Sequence, residues 1–191
     1  MSNTLEMSAD ASATDGLPKD RWSGELETRT GFRFSVRPAL LGEEDLLAEF
    51  FTHVTPEDLR FRFLTALSVV DRERLVLLTS SDHSPSENFL AFEVGGTAVI
   101  ASAMLVVQPG SDTAEVAMSL HEDYKGRGLA WTLLEHVGHY ADANGIRTME
   151  SIESRDHHAA IELEREMGFT AHAIPGDPSS IVIRRTRETL L

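Results

Sequence analysis

Alternating apolar and polar positions predict the first strand of the chain, and helical spacing follows it. Apolar and polar residues alternate over 32–37, the period of a half-buried strand, and Pro38 ends the pattern. Apolar side chains then recur at helical spacing over 43–52 and 55–63, and Asp71 is placed to cap a short third helix. This part of the chain therefore predicts one strand followed by two or three helices.

The second half of the chain predicts a series of strands interrupted by two helices. Residues 88–94 and 97–107 favour a hairpin, because Gly95-Gly96 supplies the positive φ that a tight turn needs. Next come a strand at 113–120, a helix at 128–143, a strand at 147–152, a helix capped by Asp156, and strands at 169–174 and 180–184. We predict an α/β (or α+β) three-layer domain: a mixed central sheet with antiparallel middle strands, flanked by helices.

The first thirty residues lack such periodicity. Residues 1–30 are small, polar and acidic, so we expect a disordered acidic tail, followed by a single domain over 31–191. Trp22 is the one large apolar side chain of that tail whose exposure would be costly. Docking of its ring on the domain and exposure to solvent are both open.

Composition narrows the class of partner. The 191 residues include 17 Lys plus Arg and 31 Asp plus Glu, a formal net charge of −14. This excess of acid opposes nucleic-acid binding and favours cationic partners such as amines or basic peptides, although solubility alone also explains it. No apolar run is long enough to span a membrane. The absence of cysteine fits a reducing, cytoplasmic compartment.

One segment between a predicted strand and a predicted helix carries candidate chemistry. Its sequence, at 123–130, is Asp-Tyr-Lys-Gly-Arg-Gly-Leu-Ala. Gly126 and Gly128 let the backbone turn sharply and approach a ligand. The following helix offers unpaired N–H groups and the positive end of its dipole, which together favour phosphate, and Lys125 and Arg127 add positive charge. Neither the Walker A motif nor the dinucleotide fingerprint fits the segment, and glycine-rich turns of this kind also occur for purely structural reasons.

The segment resembles motif A of the GNAT acyltransferases, which hold the pyrophosphate of an acyl-coenzyme A at such a turn. Residues 156–169 are similar to the family's helix that ends in Gly-Phe, and the resemblance extends over 34–184. Residues 55–63 and 114–117 look like the protein-lysine acetyltransferase domains of that family. The resemblance implies an N-acetyltransferase with acetyl-CoA as co-substrate. By direct attack, the acetyl group would pass to a primary amine of a protein lysine or of a small molecule.

The resemblance also assigns roles to residues of this chain. It implies that the backbone of Met118, Ser119 and Leu120 binds pantetheine, and that Lys125, Gly126, Arg127, Gly128, Leu129 and Ala130 hold the pyrophosphate. His157 stands where many members have asparagine, so it is a candidate for contact with coenzyme A; an exposed histidine beside a helix cap is the alternative. Glu164 stands where many members have a tyrosine that protonates the leaving thiolate, which leaves that role without an obvious residue.

Glu115 is our candidate general base. It shares one face of its predicted strand with Ala117 and Ser119, an arrangement that would set a partly desolvated carboxylate in a cleft. A solvated or salt-bridged strand glutamate is the alternative. His136 and His139 lie three residues apart on a predicted helix, but without a His-Glu-x-x-His pattern we interpret them as a solvated face and predict no metal.

Two functions of different class remain open at this point. The first is the acetyltransferase, and the second is a non-catalytic module that binds or senses acyl-CoA. The carboxylate of Glu115 favours the first, whereas the missing tyrosine favours the second. The sequence also leaves a homodimer open.

Overall fold

The computed structural model describes residues 19–63, 69–79 and 86–187, and over these residues one eight-stranded sheet runs through the domain. Its strands are β1 (Gly24–Glu27), β2 (Arg33–Pro38), β3 (Glu87–Glu93), β4 (Val99–Val107), β5 (Thr113–Leu120), β6 (Thr148–Ser154), β7 (Thr170–Ile174) and β8 (Asp177–Thr186). They lie in the order β1-β2-β3-β4-β5-β6-β8-β7. Every neighbouring pair is antiparallel except β5 and β6, which are parallel. The predicted mixed sheet is confirmed.

Helices cover both faces of the sheet. They are α1 (Glu44–Thr52), α2 (Pro56–Phe63), α3 (Arg72–Thr79), α4 (Leu129–Ala143) and α5 (His158–Glu166). Strand β3 is buried on both sides: Leu90 and Phe92 pack with α1 and α3, whereas Phe89 and Ala91 belong to the core that contains α4. The three-layer architecture follows from this double burial.

The ordered part of the chain begins earlier than the sequence predicts. Residues 19–22 form a 3-10 helix, and β1 pairs with β2 through four registered positions. Trp22 is only 8% exposed, and its ring meets Tyr140 edge-on at 5.2 Å between centroids. Strand pairing and burial of this indole outweigh the polar composition around them. The prediction of disorder is therefore wrong for 19–30, whereas 1–18 lie outside the described residues.

Two smaller predictions are also wrong. His139 is exposed as predicted, but His136 is half-buried, because its ring packs edge-on against Trp22 at 5.9 Å and Phe89 at 5.0 Å. This burial lowers the pKa of His136. Asp156 is exposed and does not cap α5; His157 occupies the N-cap position, and its side chain makes no cap hydrogen bond. None of the described helices is long and apolar enough to cross a membrane.

Candidate active site

The sheet separates at its single parallel pair. Strand β5 is registered with β4 over seven residue pairs, but with β6 over only three, Thr113–Glu115 opposite Thr148–Glu150. Beyond Glu150, β6 continues alongside β8. The edge of β5 from 116 to 120 therefore has no strand partner on this side within the described residues. Its backbone N–H and C=O groups are left available to a ligand.

A cavity of about 320 Å³ lies at this separation. Strands β5 and β6 form two of its walls, and α2, α5 and the turn before α4 complete it. The sequence-predicted residues that line it are Glu115, Met118, Ser119, Leu120, Lys125, Gly126, Ala130 and His157. Ser119 is 3% exposed, and its Oγ has no hydrogen-bond partner in the described part of the chain, as expected of a group that meets a bound molecule.

One end of the cavity is formed by residues 125–130, which we call the glycine turn. Gly126 and Gly128 have φ angles of +73° and +80°, a region that other residues rarely adopt. Gly128 is the N-cap of the fifteen-residue α4, so the unpaired N–H groups of that helix lie at this end. Together these features form an anion-binding helix N-terminus.

The turn between β1 and β2 supports the glycine turn from behind. The Thr30 hydroxyl donates a hydrogen bond of 2.7 Å to the carbonyl oxygen of Arg127. A Cβ atom on Gly128 would lie 3.2 Å from the Cβ of Thr28, which is closer than most real contacts. The segment that was expected to be a disordered tail therefore fixes the shape of the candidate phosphate site.

Three predicted residues of the glycine turn do not line the cavity. The Arg127 guanidinium lies over the rings of Tyr124, at 4.8 Å, and Phe32, at 5.3 Å, instead of facing inward. Gly128 caps the helix, and Leu129 is buried in the core at 1% exposure. Lys125 does line the cavity and forms an ion pair with Asp58 of α2. Any contact of Arg127, Gly128 and Leu129 with pyrophosphate stays a prediction.

Ionisable side chains gather elsewhere along the cavity. Arg62, Glu115, Glu153, His157 and Glu164 all line it, and we refer to them as the carboxylate cluster. Burial lowers the pKa of Arg62 to about 10, and the negative charges of Glu115 and Glu153 act in the opposite direction. Arg62 therefore remains a cation at neutral pH and faces two carboxylates.

Glu115 and His157 differ from their predicted surroundings. Glu115 is exposed rather than partly desolvated. His157 is held firmly: its Nδ1 lies 2.7 Å from Oε2 of Glu153, and its ring stacks on Phe61 at 4.3 Å between centroids. A histidine with two such contacts in the cavity wall is not merely an exposed residue beside a helix cap.

Glu164 is a functional candidate for which sequence reasoning found no role. Its side chain lines the cavity and the residue is 5% exposed, yet Oε2 has no hydrogen-bond partner among the described residues. Burial raises the pKa of Glu164 to about 8, and the negative charge of Glu153 adds to the rise. The sequence did carry one signal. Glu164 follows Ala160 by four residues and Leu163 by one, so helical spacing places it on the apolar, inner face of the helix.

Comparison with known proteins identifies the family. Residues 46–169 match the model of the acetyltransferase (GNAT) family. The chain belongs to the GNAT acetyltransferases. It is 26% identical over 186 residues to acetyltransferase PA5475 of Pseudomonas aeruginosa, an alignment that covers 96% of this chain and 98% of the relative.

Solved structures share the fold of this GNAT protein. The GNAT domain of S. lividans PAT superimposes with a TM-score of 0.79 at 22% identity, covering 87% of this chain and 97% of that one. An acetyltransferase from Salmonella typhimurium, solved with acetyl-CoA, gives a TM-score of 0.64 at 18% identity, with 81% and 94% covered. The protein is thus an acetyl-CoA-dependent GNAT acetyltransferase. Of the two functions left open by the sequence, this family membership favours the acetyltransferase over the non-catalytic acyl-CoA-binding module. Within the described ranges, no group of three or more His, Asp or Glu side chains is placed to hold a metal ion.

Proposed function

We propose that this GNAT enzyme transfers an acetyl group from acetyl-CoA to the ε-amino group of a protein lysine, with Glu115 as the general base. The observation that carries the proposal is the charge of the carboxylate cluster. The negative charges of Glu115 and Glu153 both act on the Arg62 guanidinium, and Glu115 is the exposed member of the two. A carboxylate that solvent can reach on the wall of this cavity complements an incoming ammonium group.

The cavity suits the co-substrate at its other end. The glycine turn offers helix N–H groups to a pyrophosphate, and the unpartnered edge of β5 offers backbone groups to the amides of a pantetheine arm. The buried Ser119 hydroxyl lies on the same strand without a partner. By this assignment, Met118 to Leu120 hold the arm and Lys125 to Ala130 hold the phosphates.

A lysine side chain also matches the shape of the acceptor region. Its tip is charged and its stem is four methylene groups, so it is stabilised where carboxylates adjoin apolar side chains. Phe61, Ile152 and Leu163 line the cavity together with Glu115 and Glu153. The chain's net charge of −14 further favours the approach of a basic protein or peptide.

The proposed chemistry is direct transfer. Glu115 accepts a proton from the ammonium group, and the freed amine nitrogen attacks the carbonyl carbon of the thioester. As the C–N bond forms, the nitrogen loses its second proton to solvent; the C–S bond breaks, its electron pair leaves with sulfur, and the sulfur takes up a proton. Glu115 then returns its own proton to solvent. Exposure of Glu115 suits this role, because a protein-borne amine has to reach the base from solvent.

Replacement of one carboxylate tests this proposal. Glu115→Gln should lower kcat about 100-fold or more while the Kd for acetyl-CoA stays within about twofold, since the base acts on the amine and not on the co-substrate. Thermal unfolding with saturating acetyl-CoA reports the binding, and acetylated lysine peptides report the turnover. Glu27→Gln removes an exposed glutamate from β1, outside the cavity, and is the matched control. Full activity of Glu115→Gln would refute the assignment of the base.

The acceptor class needs its own measurement. Histone-like basic peptides, free lysine and polyamines are compared at equal amine concentration by kcat/KM. We expect peptides to exceed the small amines by about tenfold or more, because they add contacts outside the cavity. A polyamine or free amino acid as the best acceptor would overturn the protein-lysine assignment and leave the acetyl transfer itself standing.

A further inference from the structure

We propose that Glu164 is the proton donor to the sulfur of coenzyme A as the thioester bond breaks. The inference rests on the proposed function and fills the role for which the sequence offered no residue. Glu164 lies on α5 and lines the same cavity as the unpartnered edge of β5, and it is 5% exposed. A carboxyl group in such a position serves either as structural support or as a source of protons.

The hydrogen bonding of Glu164 argues against purely structural support. Buried polar groups in native proteins are nearly always paired, and a structural carboxyl would be expected to use both oxygens. Oε2 of Glu164 has no partner in the part of the chain that the structure describes, although it is shielded from solvent. An unpaired, dry oxygen on a cavity wall is suited to meet a group that enters the cavity.

The protonation state of Glu164 suits a donor. Burial raises its pKa to about 8, so the carboxyl carries its proton at neutral pH. The other charged or titratable groups around the same cavity are Asp58 and Arg62 on α2, Glu115 on β5, Lys125 before α4, Glu153 on β6 and His157 before α5. Of these, Glu153 adds to the rise, because a second negative charge close by disfavours ionisation.

The two glutamates thereby divide acid and base work by their surroundings. Exposed Glu115 takes a proton from the incoming amine, and buried Glu164 gives one to the outgoing sulfur. As the C–S bond breaks, its electron pair goes to sulfur, and the O–H of Glu164 supplies the proton that forms the thiol. Glu164 is left as a carboxylate and regains a proton from solvent before the next turnover.

Glu164→Gln tests the assignment, because glutamine has nearly the same shape and no acidic proton. We expect kcat at pH 7 to fall about 100-fold, at the lower end of general acid catalysis, with the Kd for acetyl-CoA within about twofold. Wild-type kcat should decline as pH rises through about 8, where Glu164 loses its proton, and this decline should be absent in the variant. Glu162→Gln, an exposed glutamate on the same helix, should retain the wild-type profile.

Two further measurements separate the possible failures. Carbon-13 NMR of the Glu164 carboxyl in the enzyme without acetyl-CoA should show a titration midpoint far above the usual value for glutamate. Glu164→Asp, which keeps the carboxyl, should recover part of the lost kcat. A normal acidic midpoint, or a wild-type pH profile in Glu164→Gln, would overturn the role of Glu164 even in an active enzyme. Absence of acetyl transfer by the wild type would instead refute the proposed function and this inference with it.

Discussion

The glycine turn and the carboxylate cluster belong to one cavity and are built in opposite ways. The turn is a single run of six residues, and its proposed work is done by backbone N–H groups that two glycines and a helix end position. The cluster collects side chains from α2, β5, β6 and α5, whose positions span residues 62 to 164. By these proposals, co-substrate binding depends on backbone geometry, whereas the proton transfers depend on side-chain surroundings.

The largest expected effect in the carboxylate cluster is the pH-dependent destabilisation of the folded protein by Glu164. The folded-state pKa of Glu164, about 8, lies above its usual value of 4.5, so the folded protein holds a proton that the unfolded chain releases across that interval. Raising the pH from 5 to 8 should therefore lower the free energy of unfolding, by up to about 1.4 kcal/mol per unit. Glu164→Gln has no such proton to lose.

Urea unfolding at pH 5, 6, 7 and 8 measures this effect. The stability of Glu164→Gln relative to wild type should improve by about 3 kcal/mol over the range and level off above pH 8. The other charged groups of the cavity are present in both proteins, so their contributions largely cancel in the difference. Glu162→Gln should follow the wild type, and parallel curves for Glu164→Gln would show that the cluster imposes no such cost.

Substitution of two glycines with matched backbone conformations tests the glycine turn. Gly126 and Gly110 have φ angles of +73° and +72°, and an added Cβ meets nothing within 4 Å at either. Alanine should cost each site about 1 kcal/mol of stability through strain. Gly126→Ala alone should weaken acetyl-CoA binding, by about tenfold in calorimetry, because Gly126 lines the cavity and Gly110 does not. Equal affinities in the two variants would contradict the importance of the turn's geometry.

The smallest expected effect concerns the side chain of Lys125. It is exposed and paired with Asp58, and such surface pairs contribute about 0–1 kcal/mol. Lys125→Ala should therefore raise the Kd for acetyl-CoA by no more than about fivefold at physiological salt. A much larger loss of acetyl-CoA affinity in calorimetry would mean that the glycine turn also depends on a side chain. That result would remove the contrast between the glycine turn and the carboxylate cluster.

The same contrast explains what the sequence could predict. The strands and helices of the domain follow from local periodicity, and the glycine turn is a contiguous pattern, so both were accessible. Strand β1 was missed because Gly24–Glu27 has little apolar character, and its order derives from pairing with β2 and from the burial of Trp22. The roles of Arg62 and Glu153 were missed because nothing local indicates that distant charges meet in one cavity.

The short parallel seam between β5 and β6 has a consequence for the kinetics of folding. Strands β1 to β5 each pair with their neighbour in sequence, but β6 reaches β5 only through the α4 crossover and holds it by three residue pairs. Pairings that close longer loops for fewer contacts form late. We expect the cavity to be completed after the rest of the sheet, so that acetyl-CoA slows unfolding of the finished protein without accelerating its folding.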